Sequence, residues 1–155
     1  MGDLVVVAPV LPTRETALRH HLRGLAASPL VQLPHATHFA RFVVVPLDGP
    51  RLLFSSRFDV SVESYIGALA RLPAAATIWC HCESGEDLRD PARLSEYLTD
   101  NRLTSPYLLA PWPKVSVAEV NEALERQARL SALVVEAAVL GPIGLAHAFR
   151  ERFPR

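Results

Sequence analysis

Apolar positions recur along the chain in two rhythms. Leu4 to Val10 is a β-branched run of strand length, and Ala17, Leu18, Leu22, Leu25 and Ala26 follow at helical spacing, with Thr13 placed as a cap. The run Thr37 to Pro46, the turn residues Leu47-Asp48-Gly49-Pro50 and the run Arg51 to Asp59 predict two strands joined by a tight turn. Ser61 caps a second predicted helix with Val62, Tyr65, Ile66, Leu69 and Leu72 on one face and Pro73 just past its end. Residues 76–83, ATIWCHCE, then read as a fourth strand. The order β-α-β-β-α-β is that of the ferredoxin-like split βαβ arrangement, an α+β fold with an antiparallel sheet.

A helical extension is predicted after it. Asp90-Pro91 opens a short helix with Leu94, Tyr97 and Leu98, residues 105–113, SPYLLAPWP, read as a fifth strand, and Ser116 with Glu119 forms a capping box for a long helix to about Ala138. Gly141-Pro142 breaks that helix, and Leu145, Phe149 and Phe153 form the stripe of a last one. The reading is one domain over 1–155, with a core over about 3–83 and an extension over about 84–155. Its 155 residues suffice for one hydrophobic core.

In a ferredoxin-like fold helices cover one sheet face, so strands should alternate apolar and polar. Here Val43-Val44-Val45, Leu52-Leu53-Phe54 and Ile78-Trp79-Cys80 place apolar groups on both faces. A second apolar face requires a cover, and another copy of the sheet supplies one, which predicts a homodimer in the form of a dimeric α/β barrel.

Composition narrows the partners. Sixteen Lys+Arg balance sixteen Asp+Glu, so no basic field exists to neutralise nucleic acid or an anionic membrane. The apolar stretch 132–146 is interrupted by Glu136 and Gly141-Pro142 and falls short of a bilayer span. The start lacks a positive n-region and reads as a strand instead of a signal peptide, from which a cytoplasmic location is expected.

The strands THFARFVVV, RLLFSSRFD and IWCHCE, in this order and spacing, resemble a group of largely uncharacterised bacterial proteins of the dimeric α/β-barrel superfamily. The likeness is strongest between Thr37 and Glu83. It implies the fold and the dimer, while the superfamily's activities range over monooxygenases, haem-dependent enzymes, cyclases and ligand-binding regulators, so it selects no chemistry. The chain departs from the group's pattern at Val60, where glycine follows the aspartate, and at Glu83-Ser84-Gly85-Glu86, where Gly-Tyr-Pro follows the His-Cys pair.

Candidate chemistry follows from strand register. A turn symmetric about Asp48-Gly49 puts His38 opposite Asp59, Ala40 opposite Arg57 and Phe42 opposite Ser55 on one face, expected to line the barrel interior. The other face, with Phe39, Arg41, Val43, Val45, Leu52, Phe54, Ser56 and Phe58, is expected to pack on helices. His38 beside Asp59 would be an oriented imidazole, and Arg57 a stabiliser of a developing anion. On the fourth strand Trp79, His81 and Glu83 share one face and Cys80 and Cys82 the other. His81 and Glu83 are therefore a second proton-handling pair, and no metal set converges because His81 points away from both thiols.

Trp79, Phe42, Ser55 and Trp112 are the expected substrate-binding residues. The expectation is an enzyme of acid/base or cofactor-free oxygenase or cyclase type acting on a small hydrophobic, aromatic or polyketide-like ligand. The alternatives are a haem-dependent oxidoreductase of the same fold, with one histidine as axial ligand (His147 by analogy), and a non-catalytic dimeric ligand-binding or accessory module.

Overall fold

The computed structural model describes residues 2–27, 33–83, 87–104, 114–137 and 139–153. The expected fifth strand at 105–113, and Trp112 with it, lies outside the described residues. The chain divides into two compact units, Met1–Val117 and Ala118–Arg155.

The first unit is built on a four-stranded antiparallel sheet. Its strands are β1 (Gly2–Pro9), β2 (Thr37–Leu47), β3 (Gly49–Phe58) and β4 (Arg102–Leu103), in spatial order β2-β3-β1-β4. Four helices accompany it: α1 (Glu15–Ala26), α2 (Val62–Ala70), α3 (Pro73–Trp79) and α4 (Pro91–Asp100). Two of their starts have a side-chain cap. The Ser61 hydroxyl accepts from the Ser64 amide to cap α2, and Asp90 accepts from the Ala92 amide with Pro91 behind it to cap α4.

One sheet face forms the core. Leu4, Val6 and Ala8 of β1 and Leu52, Phe54 and Phe58 of β3 are fully buried against Leu18 of α1, Tyr65 and Leu69 of α2, and Trp79 of α3. Leu88, Leu94 and Leu98 belong to the same core, so packing continues beyond residue 83 into the predicted extension. The opposite face carries Val5, Val7, Val43, Val45 and Leu53, all half-buried, and Phe39, which is 48 % exposed. Apolar groups thus occupy both faces, as the strand patterns predict.

Two expectations are corrected. Residues 76–83 do not form the fourth strand: Pro73 stands in the first turn of α3 after an extended Leu72, and Ala74-Ala75-Ala76 favours the helix it opens. Ala75, Ile78 and Trp79, at helical spacing, are its buried face. The strand-like pairing there is limited to one isolated bridge, Val10 to Cys82, and the edge beside β1 is taken by Arg102–Leu103.

The hairpin register is also one residue away from the expected one. Leu47 pairs with Gly49 and leaves Asp48 alone at the tip, with Gly49 at φ +99°, a conformation open to glycine. Pro50, paired with Pro46, is incompatible with the two-residue loop that the sequence suggests. A one-residue slip exchanges faces. Ala40 and Phe42 therefore join Phe54 and Ser56 on the helix-packed face, whereas Phe39, Arg41, Val43 and Val45 leave it, since Ala40 pairs with Ser56 and Phe42 with Phe54.

The second unit holds most of α5 (Val117–Ala137) and all of α6 (Pro142–Arg152). Arg152 reaches both oxygens of Glu136 at 2.8 Å, and the Phe149 and Phe153 rings stack 4.9 Å apart. Among its described residues only Leu133 is buried.

Candidate functional site: a histidine–aspartate pair at a β-bulge

Strand β2 enters the sheet irregularly. Thr37 pairs with Phe58 and Phe39 with Arg57, so His38 is the extra residue of a bulge. The bulge is braced from the helix side. Tyr65 stacks on Phe58 with ring centroids 3.8 Å apart, its hydroxyl lies 2.6 Å from Ser56 Oγ, and Ser56 Oγ donates to the Phe39 carbonyl at 2.9 Å. Thr37 Oγ1 donates to the Pro34 carbonyl at 2.6 Å, and the Asp59 amide donates to the Ala36 carbonyl at 3.0 Å. Both strand ends are held where their side chains meet.

His38 Nε2 lies 2.8 Å from Asp59 Oδ1. The second carboxylate oxygen, Oδ2, accepts from the Val117 amide at 2.6 Å, where the first unit ends and α5 begins. Burial pushes the Asp59 carboxyl up, but the Val117 amide and the bond and charge of His38 outweigh it and leave it below the usual carboxylate range. An ionised carboxylate only accepts, so neutral His38 carries its proton on Nε2 and keeps Nδ1 free as an acceptor. The side chains remain 18 % and 22 % exposed, so the pair is ordered without being sealed.

Arg57 and Ser55 share the second sheet face by strand alternation, and Asp59 follows Arg57 by two residues, just past the end of β3. Arg57 is 7 % exposed and stands across from Phe39 and Asp3. The sequence grouped His38, Asp59, Arg57 and Ser55; the structure joins His38 to Asp59 by a hydrogen bond and sets Arg57 and Ser55 on one face of the last residues of β3.

Phe42 and Trp79 go elsewhere. The Phe42 ring lies 4.7 Å from Phe54 and 6.3 Å from Trp79, and Trp79 is fully buried between them and Tyr97. Both are on the helix-packed side and act as core. His81 and Glu83 are beyond the other end of β1: the Leu11 amide donates to the His81 carbonyl at 3.1 Å and the Glu83 amide to the Pro9 carbonyl at 3.0 Å. Gly2 pairs with Phe58 at the bulge end, so the length of β1, roughly 25 Å at about 3.3 Å per residue, separates His81 from His38. The two histidines do not share a pocket.

His81 has its own surroundings, which sequence spacing does not reveal. Its ring is 6.1 Å from that of His21 on α1, which contacts Thr77 Oγ1 at 3.0 Å, and Arg14 Nη1 donates to the Cys80 carbonyl at 2.6 Å. Burial, then His21 and Arg14, lowers the His81 pKa, which favours the neutral ring. Cys80 donates to the Thr77 carbonyl at 3.3 Å, while burial pushes the Cys82 thiol up to about 12. Among the described residues no three His, Cys, Asp or Glu side chains gather as a metal site. His147 stands on the exposed side of α6, 3.6 Å from Glu151.

The bracing network of Thr37, Ser56 and Tyr65 and the Val117 amide are the parts of the site that sequence reasoning misses. A backbone donor 58 positions from its acceptor leaves no local signal. No helix among the described residues is long and apolar enough to cross a membrane. No family model, no curated protein and no solved structure matches the chain.

Proposed function

We propose that the chain is an acid/base enzyme for a small hydrophobic ligand, with His38 Nδ1 as the proton acceptor and Asp59 as the residue that orients it. The observation that carries this reading is the Asp59 carboxylate, bonded on one oxygen to His38 and on the other to a backbone amide. That arrangement fixes ring and tautomer, and a positioned base of this kind contributes about 10²- to 10⁴-fold to a proton transfer. Arg57 on the same face is the stabiliser of the anion that loss of a proton leaves, and Ser55 borders the ligand. Val43, Val45 and Leu53 supply the apolar floor.

The fold reading that goes with this is ferredoxin-like. The strand order β2-β3-β1-β4, all antiparallel with helices on one face, supports it. The half-buried apolar second face supports a homodimer in which a second copy's sheet covers it and closes the site against water.

The carbon acid 5-nitrobenzisoxazole, whose base-promoted ring opening is followed by absorbance, tests the chemistry. The native chain is expected to accelerate the reaction, with His38→Ala at the buffer rate and Asp59→Asn about 10² slower than native. Circular dichroism controls for folding. No acceleration by the native chain, or undiminished acceleration by His38→Ala, overturns the reading.

A further inference from the structure

The hairpin offers two ways to place His38. If the ladder continued regularly beyond the pair of Phe39 and Arg57, His38 would stand opposite Phe58 and Thr37 opposite Asp59. Residues opposed across a ladder share a side of the sheet, so His38 would turn with Phe58 into the helix-packed core, and Thr37 would take its place beside Asp59. The bulge exchanges the two: Thr37 pairs with Phe58, and His38 Nε2 reaches Asp59 Oδ1 at 2.8 Å. Whatever favours Thr37 over His38 as the partner of Phe58 therefore assembles the pair.

One fully buried phenol touches the groups that tell the two registers apart. The Tyr65 ring lies on Phe58 with 7° between planes, and its hydroxyl is 3.2 Å from Thr37 Oγ1 and 2.6 Å from Ser56 Oγ. Thr37 donates to the Pro34 carbonyl and Ser56 to the Phe39 carbonyl, which uses the single hydrogen of each and leaves the phenol to donate to Ser56. Tyr65 thereby holds the residues on both sides of His38, Thr37 directly and Phe39 through Ser56. In the regular ladder Thr37 Oγ1 leaves for the opposite face and its contact to the phenol is lost. One buried hydrogen bond changes such an equilibrium about tenfold.

We propose that the Tyr65 hydroxyl selects the bulged register over the regular one, which makes Tyr65 the positioning residue of the His38–Asp59 pair. It acts from the core side of the sheet, through Thr37 and Ser56. That the pair is a base rests on the acid/base reading above, whereas the selection of register does not.

Amide hydrogen exchange of the full chain, followed by NMR, tests it. Ala36 stands opposite Asp59 only in the bulged register, so the 3.0 Å bond from the Asp59 amide to the Ala36 carbonyl reports that register. Exchange counts the chains in which this bond is open even when they are rare. Tyr65→Phe, which keeps the ring on Phe58, is expected to speed exchange at Asp59 about tenfold relative to amides in the middle of the β1–β3 ladder. Ser56→Ala and Thr37→Val each cut one arm of the network and should raise the same ratio severalfold; they decide the matter if Tyr65→Phe does not fold. Leu69→Ala, a buried residue of the same helix, should lower stability and leave the ratio at its native value. An unchanged ratio in folded Tyr65→Phe, or in both arm variants where Tyr65→Phe does not fold, overturns the proposal. An equal rise in Leu69→Ala overturns it too, because Tyr65 would then act only through stability. Exchange needs no turnover, so a native chain inactive toward the carbon acid refutes the base and leaves the selection of register standing.

Discussion

Replacing Trp79 with phenylalanine separates a core residue from a ligand-binding one. Trp79 is fully buried against Phe42, Phe54 and Tyr97, and its indole Nε1 has no hydrogen-bond partner among the described residues. Trp79→Phe removes about 40 Å³ of side chain, a cavity cost of roughly 1 kcal/mol at about 24 cal/mol per Å³. The lost apolar area, about 40 Å² at about 25 cal/mol per Å², adds roughly 1 kcal/mol. Against this, the substitution deletes a buried donor without an acceptor, whose desolvation costs about 1–3 kcal/mol. The terms nearly cancel, so Trp79→Phe should change stability by no more than about 1 kcal/mol, whereas Trp79→Ala should cost about 3–5 kcal/mol. Urea unfolding followed by far-ultraviolet circular dichroism reads both without the lost fluorophore. A Trp79→Phe cost above about 3 kcal/mol would show that the indole N–H has an acceptor and refute the reasoning.

Asp59 makes stability depend on acid. Its folded pKa lies below the unfolded value, so its contribution is present above the unfolded carboxylate range and is lost as pH falls through the lower folded value. Asp59→Asn should flatten the acid limb of a plot of unfolding free energy against pH between about 5 and 2; an unaltered limb contradicts the assignment. Cys82, buried and with its thiol up at about 12, should resist iodoacetamide at pH 8 while Cys80 reacts, so that mass spectrometry finds one label on the native chain and two after denaturation. Two labels on the native chain would count against this burial. Gly49→Ala should cost about 1–2 kcal/mol because Gly49 sits at φ +99°, and a neutral result in the same urea assay would mean that the turn has another conformation.

Strand patterns make β1 and the hairpin legible in the sequence, helical spacing α1, and the Ser61 cap α2. Thr13, the expected cap of α1, lies instead in the 3-10 turn Pro12–Arg14, and α1 starts after Arg14 without a side-chain cap. Residues 76–83 mislead because Ile78, Trp79 and Cys80 form a short apolar run, and such a run does not distinguish a strand from a buried helix. Pro73 marks the end of one helix in the sequence and also begins the next in the structure. Strand β4 is two residues long, below what any periodicity can mark. The sequence brings His38 to Asp59 as a directly opposed pair. The single-residue turn shifts the register by one and the bulge at His38 shifts it by one more in the same direction, so that the Asp59 amide bonds Ala36 and only the side chains of His38 and Asp59 meet. The two irregularities add, and neither has a sequence signature strong enough to read alone. Phe42 changes sides through that face exchange, and Trp79 through the helix that replaces the expected strand.

The bulge also bears on how His38 can move. Residues on either side of His38 are tied into the β2–β3 pairing, yet His38 itself has no partner in the register. A strand residue outside the ladder can rotate its peptide plane without opening its neighbours, so the His38 amide can exchange with water while the hairpin stays zipped. Amide exchange would display this as one fast-exchanging position between protected ones. The site therefore combines a carboxylate bonded at both oxygens with a ring carried by a residue outside the strand ladder.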